Sequence, residues 1–249
     1  MTDNGSPRAF NWLTRQHVAH RGLYQAGTIC EENTLPAIEA AINAGFSVEI
    51  DVRLTGDDRI AVFHDVSLDR LTGQKGLIAQ HGLAQLQEIQ VGNSGAGIPH
   101  FPDVLDLVDG RTPLFVEIKT EERTNIQHLC AGIRHSLEGY AGDVAVMSFD
   151  PRIGLWFSKY MPKYARGAII GRDALLSISR RLTTALWIKR IQPDFIACDI
   201  HLLPNSLCNR WRKKGKPVLT WTVKNELDEI MGSRHADALI FERPAIVGP

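Results

Sequence analysis

The chain has 249 residues, of which 44% are hydrophobic and 22% charged, a composition typical of a folded globular protein rather than a disordered one. This length suits one closed α/β barrel, although two smaller domains would fit it as well. Lysine plus arginine and aspartate plus glutamate both number 28, so the chain lacks the overall basic charge that nonspecific nucleic-acid binding requires.

The N-terminal segment MTDNGSPRAFNWLTRQ is polar and has no apolar stretch of the signal-peptide type. No part of the sequence approaches the roughly 18 consecutive apolar residues of a membrane span. We therefore expect a cytoplasmic location without stable membrane insertion. The cysteines are widely separated and form no CxxC pair, which favours reduced, structural thiols: Cys30, Cys130, Cys198 and Cys208.

Short runs rich in valine, isoleucine and phenylalanine recur along the chain, with helical patterns between them. This alternation predicts a parallel sheet covered by helices, and eight strands is the count of a closed α/β barrel. The predicted strands are 17–21, 47–53, 113–119, 143–149, 165–170, 194–200, 217–223 and 237–242.

Helices are predicted between these strands. After the first strand, Asn33 or Thr34 can cap a helix that has Pro36 in its first turn and ends at Gly45. Apolar residues of segment 124–140 recur at helical spacing and would pack against the barrel. Further helices are predicted near 151–161, 173–191, 205–214 and 225–232.

One stretch departs from the alternation of strand and helix. Only six residues separate Arg53 from Ile60, whereas a parallel crossover usually takes about a dozen or more. The segment IAVFHD (60–65) is therefore predicted to fold back as an antiparallel extension around the turn TGDDR. The region from about 54 to 100 then forms a small insertion after the second strand rather than a barrel unit.

Ionisable residues cluster at the ends of the first three predicted strands, where the loops of such a barrel converge. Alternation places Glu49 and Asp51 on one side of their strand, and Glu117 and Lys119 on one side of theirs. Three converging carboxylates repel one another unless a hard divalent cation such as Mg²⁺ or Ca²⁺ lies among them. We therefore predict Glu49, Asp51 and Glu117 as metal ligands.

Basic residues lie close to these carboxylates in the sequence. Arg21, Arg53 and Lys119 could neutralise them as a structural ion network, and this alternative to a metal site stays open. In the metal-site interpretation, Arg21 and Lys119 instead meet the oxygens of a phosphate. The sequence alone does not choose between the two.

Two histidines adjoin the same charged group. His20 and His64 suit general acid and base catalysis, because an unperturbed imidazole titrates near neutral pH. One would take a proton from the attacking oxygen, and the other would give one to the leaving alcohol. The other histidines lack such neighbours and are expected to be structural: His17, His81, His100, His128, His135, His201 and His235.

Three further residues have two interpretations each. Trp221, at the end of the seventh predicted strand, could line the substrate pocket or only pack the barrel mouth. Glu32 and Asn33 could reach the site from the first loop. Structural roles, a helix cap and an ion pair with Arg21, would explain the presence of Glu32 and Asn33 equally well.

These segments resemble the glycerophosphodiester phosphodiesterase family. The resemblance runs in order, over nearly the whole chain, through AHRG, ENTLPA, VEIDVRLT, VFHD, VEIK, MSFD, TWTV and ALIFERP. It implies an α/β fold with one TIM (β/α)8-type barrel domain over residues 1–249 and a small insertion at about 54–100. It also implies metal-dependent hydrolysis of small-molecule glycerophosphodiesters to sn-glycerol 3-phosphate and an alcohol.

The matching motifs imply the same site residues as the charge pattern. His20 and His64 become the acid and base, Arg21 and Lys119 the phosphate contacts, and the three carboxylates the ligands of Mg²⁺ or Ca²⁺. The family mechanism implies attack by the substrate's own glycerol hydroxyl and a cyclic phosphate that water opens. The chain departs from the family at TVKN, where TVN is usual, and at IFERP, where Glu242 replaces an aspartate.

Two other functions compete with this one. A lysophospholipase D acting on acylated substrates would need an exposed apolar patch near the barrel mouth. The basic, amphipathic segment 175–190 is a candidate for such membrane contact, but packing against the barrel explains its pattern better. A noncatalytic barrel that binds phosphorylated ligands would have no need of His20 and His64. An oligomer is compatible with the sequence.

Overall fold

A computed structural model describes residues 10–242. Within that range the chain forms nine strands, eight of which are parallel strands of one closed barrel. Each barrel strand lies within its predicted range, except that β2 continues one residue further. In chain order the strands are β1 (Val18–Ala19), β2 (Ser47–Leu54), β3 (Ile60–Val62), β4 (Leu114–Ile118), β5 (Val144–Ser148), β6 (Ala165–Ile170), β7 (Phe195–Asp199), β8 (Val218–Val223) and β9 (Ala238–Phe241).

Helices connect these strands on the outside of the barrel. Helical structure forms in every segment where it was predicted, with different ends, whereas α2, α3 and α4 were not predicted. In chain order the α-helices of the described range are α1 (Leu35–Asn43), α2 (Asp69–Thr72), α3 (Leu83–Gln87), α4 (Phe101–Val108), α5 (Ile126–Ser136), α6 (Pro151–Tyr160), α7 (Ile178–Ile191), α8 (Ser206–Arg212) and α9 (Glu226–His235).

The short strand β1 closes the barrel. Val18 pairs in parallel with Ser47 of β2 on one side and with Ile240 of β9 on the other. From β1 the ring continues through β9, β8, β7, β6, β5 and β4 to β2. Because all eight strands are parallel, their carboxyl ends meet at a single mouth. The predicted TIM-type barrel is confirmed.

Strand β3 is not part of the ring. It pairs antiparallel with the end of β2, with Val62 opposite Val52 and Ile60 opposite Leu54. Asp58 in the connecting turn has a φ of 58°, a left-handed conformation that aspartate tolerates in tight turns. The predicted fold-back after β2 is confirmed, and it directs the chain into the insertion.

Three apolar cores stabilise this arrangement. One fills the barrel interior, where the rings of Phe115 and Phe195 meet edge to face at 5.9 Å. A second lies between the strands and the surrounding helices. The third belongs to the insertion and includes Phe63, Leu68 and Leu86. The insertion therefore packs around apolar side chains of its own.

The segment predicted as one helix over 173–191 consists of two pieces. A 3-10 helix covers Arg172–Leu175, and α7 begins at Ile178 after Ser177, whose hydroxyl oxygen accepts a hydrogen bond from the backbone N–H of Arg180. Ile188 and Ile191 are the buried residues of α7. Leu176, Ile178, Leu182 and Leu186 are exposed, so packing against the barrel, the explanation favoured from the sequence, accounts for only part of the apolar pattern of 175–190.

Residues 1–9 and 243–249 lie outside the described range. They include part of the polar N-terminal segment and the Arg-Pro end of the IFERP motif. Among the helices of residues 10–242, none combines the length and the apolar character needed to cross a bilayer.

Candidate active site

The loop after β1 begins the site at the barrel mouth. Arg21 has a φ of 59°, and its backbone N–H donates a hydrogen bond to Glu49 Oε2 at 2.9 Å. Gly22 follows with a φ of 81°, and a Cβ there would lie 2.7 Å from the backbone carbon of Ala37. Only glycine fits this position, because both the conformation and the close approach to α1 exclude a side chain.

The three predicted metal ligands do converge. One carboxylate oxygen each from Glu49, Asp51 and Glu117 lies within 4.8 Å of the others, and all three residues are buried. Glu49 Oε1 has no hydrogen-bond partner among the described residues. Asp51 Oδ1 lies 3.0 Å from Lys119 Nζ but receives no well-directed hydrogen bond. These oxygens retain free lone pairs.

Crowding of these carboxylates shifts their pKa values in the metal-free protein. Burial, followed by repulsion from Asp51 and Glu117, raises the pKa of Glu49 well above its ordinary value. Burial also raises the pKa of Glu117. For Asp51 burial acts in the same direction, but the nearby Lys119 and Arg21 outweigh it and hold the pKa below its ordinary value. Buried, under-coordinated carboxylate oxygens fit a hard divalent cation.

Two of the three basic residues in the alternative ion network do contact the carboxylates. Lys119 Nζ lies 2.5 Å from Glu117 and 3.0 Å from Asp51. Arg21 Nε lies 3.2 Å from Asp51. Arg53 does not join them, since it pairs with Glu121 and with a backbone carbonyl of the insertion. The predicted network is wrong for Arg53, and the two cations that do contact the carboxylates leave Glu49 Oε1 without a hydrogen-bond partner among the described residues.

His20 is held in place by the carboxylate of Glu242, the residue that replaces the aspartate usual in the family motif. Its Nδ1 lies 2.8 Å from Glu242 Oε1, and Lys224 Nζ lies 2.7 Å from Glu242 Oε2. Burial would raise the pKa of Glu242, but the bonds to His20 and Lys224 lower it to about 2. Because Nδ1 is occupied, Nε2 is the ring nitrogen left for a substrate.

His64 has the same arrangement on the other side of the mouth. Its Nδ1 lies 2.7 Å from Asp65 Oδ1, and Asp65 in turn accepts hydrogen bonds from Arg70. The guanidinium of Arg53 donates two hydrogen bonds to the backbone carbonyl of His64, at 2.6 and 2.8 Å. Barrel strand β2 therefore fixes the position of His64, although His64 belongs to the insertion.

Burial favours the neutral form of both imidazoles. Burial lowers the pKa of His20, partly offset by its bond to Glu242. Burial also lowers the pKa of His64, partly offset by the charge of Asp51. A neutral imidazole with a carboxylate on Nδ1 has its lone pair on Nε2, which is the form that accepts a proton.

The first loop supplies two residues whose roles the sequence left open. Asn33 is buried, donates a hydrogen bond to Asp51 Oδ2 at 2.9 Å and accepts one from the Asp51 backbone N–H at 3.0 Å. Glu32 pairs with Arg21 and Arg70, at 2.8 Å each. The N-cap residue of α1 is Thr34, one of the two predicted candidates, although its side chain makes no cap hydrogen bond; Asn33 does not cap the helix.

A cavity of about 240 Å³ opens between the two histidines. Trp221 lies on its wall, donates a hydrogen bond to the Ala197 carbonyl at 3.1 Å and meets Phe149 edge to face. Glu242 and Lys224 also line it and were not among the predicted site residues. The predicted site residues on its wall are His20, Arg21, Glu49, His64, Glu117, Lys119 and Trp221.

Known proteins share this architecture and sequence pattern. A model of the glycerophosphoryl diester phosphodiesterase family matches residues 20–246. YhdW of Bacillus subtilis, provisionally named a glycerophosphodiester phosphodiesterase, is 27% identical over 222 residues, 84% of this chain and 86% of YhdW. A glycerophosphodiester phosphodiesterase of Bacillus altitudinis is 36% identical over 108 residues, 41% of this chain and 43% of that protein.

Solved structures are similar over the whole barrel. An Oleispira antarctica phosphodiesterase, in complex with the product sn-glycerol-3-phosphate, superposes with a TM-score of 0.80 at 24% identity, covering 92% of this chain and 93% of that one. A Thermotoga maritima glycerophosphodiester phosphodiesterase has a TM-score of 0.73 at 23% identity, covering 91% and 94%. At this identity the likeness concerns the fold.

Proposed function

Because the chain belongs to the glycerophosphoryl diester phosphodiesterase family, a family of phosphoric diester hydrolases, we propose that it cleaves glycerophosphodiesters to sn-glycerol 3-phosphate and an alcohol. One observation carries the proposal. His20 and His64, each with a carboxylate on Nδ1, line one cavity together with Glu49, Glu117 and Lys119. Such a cavity can accept a phosphodiester between two proton-transferring groups.

The reaction proposed here proceeds in two steps. One histidine takes the proton of the substrate's glycerol 2-hydroxyl as that oxygen attacks phosphorus. The bond from phosphorus to the alcohol breaks, and the other histidine, which enters the step as an imidazolium with a proton on Nε2, gives that proton to the departing oxygen. Water then opens the cyclic phosphate with the histidines in reversed roles, which yields sn-glycerol 3-phosphate.

The remaining residues bind and orient the substrate. Arg21 and Lys119 place positive charge at the cavity wall, where the phosphate oxygens would lie. Trp221 offers an apolar wall against which the substrate can be positioned. Glu49, Asp51 and Glu117 would hold a divalent cation, which supplies Lewis-acid stabilisation of developing negative charge.

The test compares two substrates. Glycerophosphoethanolamine should yield sn-glycerol 3-phosphate and ethanolamine, measured by phosphorus NMR and by a coupled dehydrogenase assay. An analogue with hydrogen in place of the glycerol 2-hydroxyl should not turn over, because it lacks the proposed nucleophile. Equal turnover of the analogue would contradict the cyclic intermediate, and inertness of both substrates would contradict the function.

The Glu242 carboxylate is expected to orient the His20 imidazole for proton transfer. Glu242→Gln should lower kcat roughly 10- to 100-fold, a part of the factor of 10²–10⁴ that acid–base catalysis contributes, with little change in KM. Glu242→Asp, which restores the carboxylate of the family motif, should recover most of the loss. Unchanged kcat in Glu242→Gln would show that the carboxylate does not position His20.

The same carboxylate has an effect on stability that depends on pH. The pKa of Glu242 is about 2 in the folded protein and 4.5 ordinarily, so between these values the unfolded chain binds more protons. The stabilisation is therefore complete above pH 4.5 and lost as the pH falls toward 2. Urea unfolding of wild type and Glu242→Gln should differ at pH 6 and converge in acid; a difference that stays constant would contradict the pairing.

A second candidate function is hydrolysis of acylated glycerophosphodiesters. The exposed apolar patch that this activity requires is present on α7, which follows the β6 end of the barrel mouth. The same catalytic residues would serve both substrates, because a 1-acyl lysophospholipid keeps a free 2-hydroxyl.

A further inference from the structure

The outer face of α7 is apolar and exposed. Ile178, Leu182 and Leu186 recur every fourth residue, so they form one stripe along the helix. Together with Leu176 just before the helix, they are between 62% and 77% exposed. Four large aliphatic side chains in contact with water, three on the helix and one just before it, indicate a surface that binds a partner.

Within segment 174–192 every charged residue is positive, and Asp173 lies just before this segment. By helical spacing Arg181, Lys189 and Arg190 lie within or beside the stripe, whereas Arg180 lies on the other side of the helix. A symmetric contact between two copies of α7 would place these cations against like charges, which opposes dimerisation through this face. An aliphatic stripe flanked by cations is instead complementary to an anionic lipid surface.

The opposite face of α7 lines a second cavity, of about 450 Å³. Ile170, Ile188 and Ile191 form part of its apolar wall. Phe149 and Ile169 line both this cavity and the catalytic one, so the two adjoin at the barrel mouth. Phe149 is itself 51% exposed at this junction.

The acidic residues of the second cavity include two that are paired with neighbouring arginines. Asp150 accepts hydrogen bonds from Arg152, and Asp199 lies 3.2 Å from Arg172. These pairs reduce the negative charge at the rim, and the aliphatic wall behind them is suited to a hydrocarbon chain. The volume is in the range of roughly 300–1,000 Å³ that small-molecule sites have.

We propose that α7 docks on anionic membrane surfaces and that the adjoining cavity takes the acyl chain of a 1-acyl lysophospholipid, which the catalytic site cleaves. This inference rests on the proposed function. The free 2-hydroxyl attacks phosphorus and gives its proton to the neutral histidine, and the headgroup alcohol leaves with the Nε2 proton of the other histidine, which enters the step as an imidazolium. Water then opens the ring to a 1-acyl glycerol 3-phosphate.

Binding is tested with vesicles and matched variants. Wild type should sediment with vesicles of phosphatidylcholine and phosphatidylglycerol, but not with phosphatidylcholine alone. Leu182→Glu/Leu186→Glu should weaken that binding at least about tenfold. The glutamates would remove the apolar contacts with the lipid and would be repelled by the anionic headgroups. The control is Leu227→Glu/Ile230→Glu on α9. These two residues are also exposed, but their neighbours on the helix are acidic. This variant should bind vesicles as wild type does.

Catalysis is tested with two substrates that share a headgroup. The α7 variant should hydrolyse soluble glycerophosphoethanolamine as wild type does, and lysophosphatidylethanolamine in anionic vesicles at least about tenfold more slowly. Thr184→Phe, which fills the second cavity, should raise KM for the lysophospholipid and leave KM for glycerophosphoethanolamine unchanged.

Each failure has a separate meaning. The docking surface is overturned if wild type does not sediment with the vesicles, or if the two double variants sediment equally. It is also overturned if wild type forms a concentration-dependent dimer that the α7 variant alone loses, because the stripe then binds a second copy of the chain. Hydrolysis of glycerophosphoethanolamine without hydrolysis of the lysophospholipid overturns the acyl site and leaves the proposed function standing. Inertness toward both substrates overturns the proposed function itself.

Discussion

Removal of divalent cations with EDTA is expected to abolish release of sn-glycerol 3-phosphate from glycerophosphoethanolamine, and added Mg²⁺ or Ca²⁺ to restore it. The reason is the buried triad Glu49, Asp51 and Glu117, which each place one oxygen within 4.8 Å of the others, and of which Glu49 Oε1 has no hydrogen-bond partner among residues 10–242. A bound cation completes this coordination. The measurement is the initial rate after chelation and after titration with each metal.

Substitution of one ligand separates the metal's role from a general salt effect. Glu49→Gln keeps the shape of the side chain and a hydrogen-bond acceptor for the Arg21 N–H. It removes the ionisable carboxyl group, whose negative form is already destabilised by burial, as the raised pKa of Glu49 indicates. Metal-supported turnover should fall by about 10²-fold or more, while the metal-free protein should gain free energy of unfolding. Activity that survives both EDTA and this substitution would contradict the metal assignment.

The second large effect is expected from His64. His64→Ala should lower kcat by about 10²–10⁴-fold, the usual contribution of a general acid or base, and should change KM far less. His135→Ala on α5 is the control, because the His135 side chain is exposed and does not line the catalytic cavity. Steady-state kinetics on glycerophosphoethanolamine give both constants. Near-normal kcat in His64→Ala would remove this residue from the proposed chemistry.

The barrel could be predicted because its strands are buried on both faces. Such strands appear in the sequence as short runs of β-branched residues, and the six residues between Arg53 and Ile60 excluded a parallel connection. Helix α4 was missed because it follows the glycine-rich insertion and has only eight residues. The exposure of Leu182 and Leu186 was also missed, since a helical period identifies an apolar face but not what covers it.

The site could be predicted where residues share a strand and could not where distant segments meet. Glu49 with Asp51, and Glu117 with Lys119, followed from alternation along one strand. The bond between His20 and Glu242 joins residues 222 positions apart, and it depends on barrel closure between β1 and β9. The bond from Asn33 to Asp51 depends on the left-handed conformation of Asn33, for which the sequence gives no signal besides asparagine itself.

The separate apolar core of the insertion has a consequence for cooperativity. The part of the insertion after His64 can open locally without unfolding the ring, since Leu68 and Leu86 pack among insertion residues, whereas His64 itself is bonded to Arg53 of β2. Such opening would remove Asp65 from Nδ1 of His64. The fraction of competent enzyme is then set by the opening equilibrium of one subregion, not by global stability. In such a molecule heat inactivation precedes melting of the barrel, and mutations far from the mouth but within the insertion core can silence catalysis in a protein that remains folded.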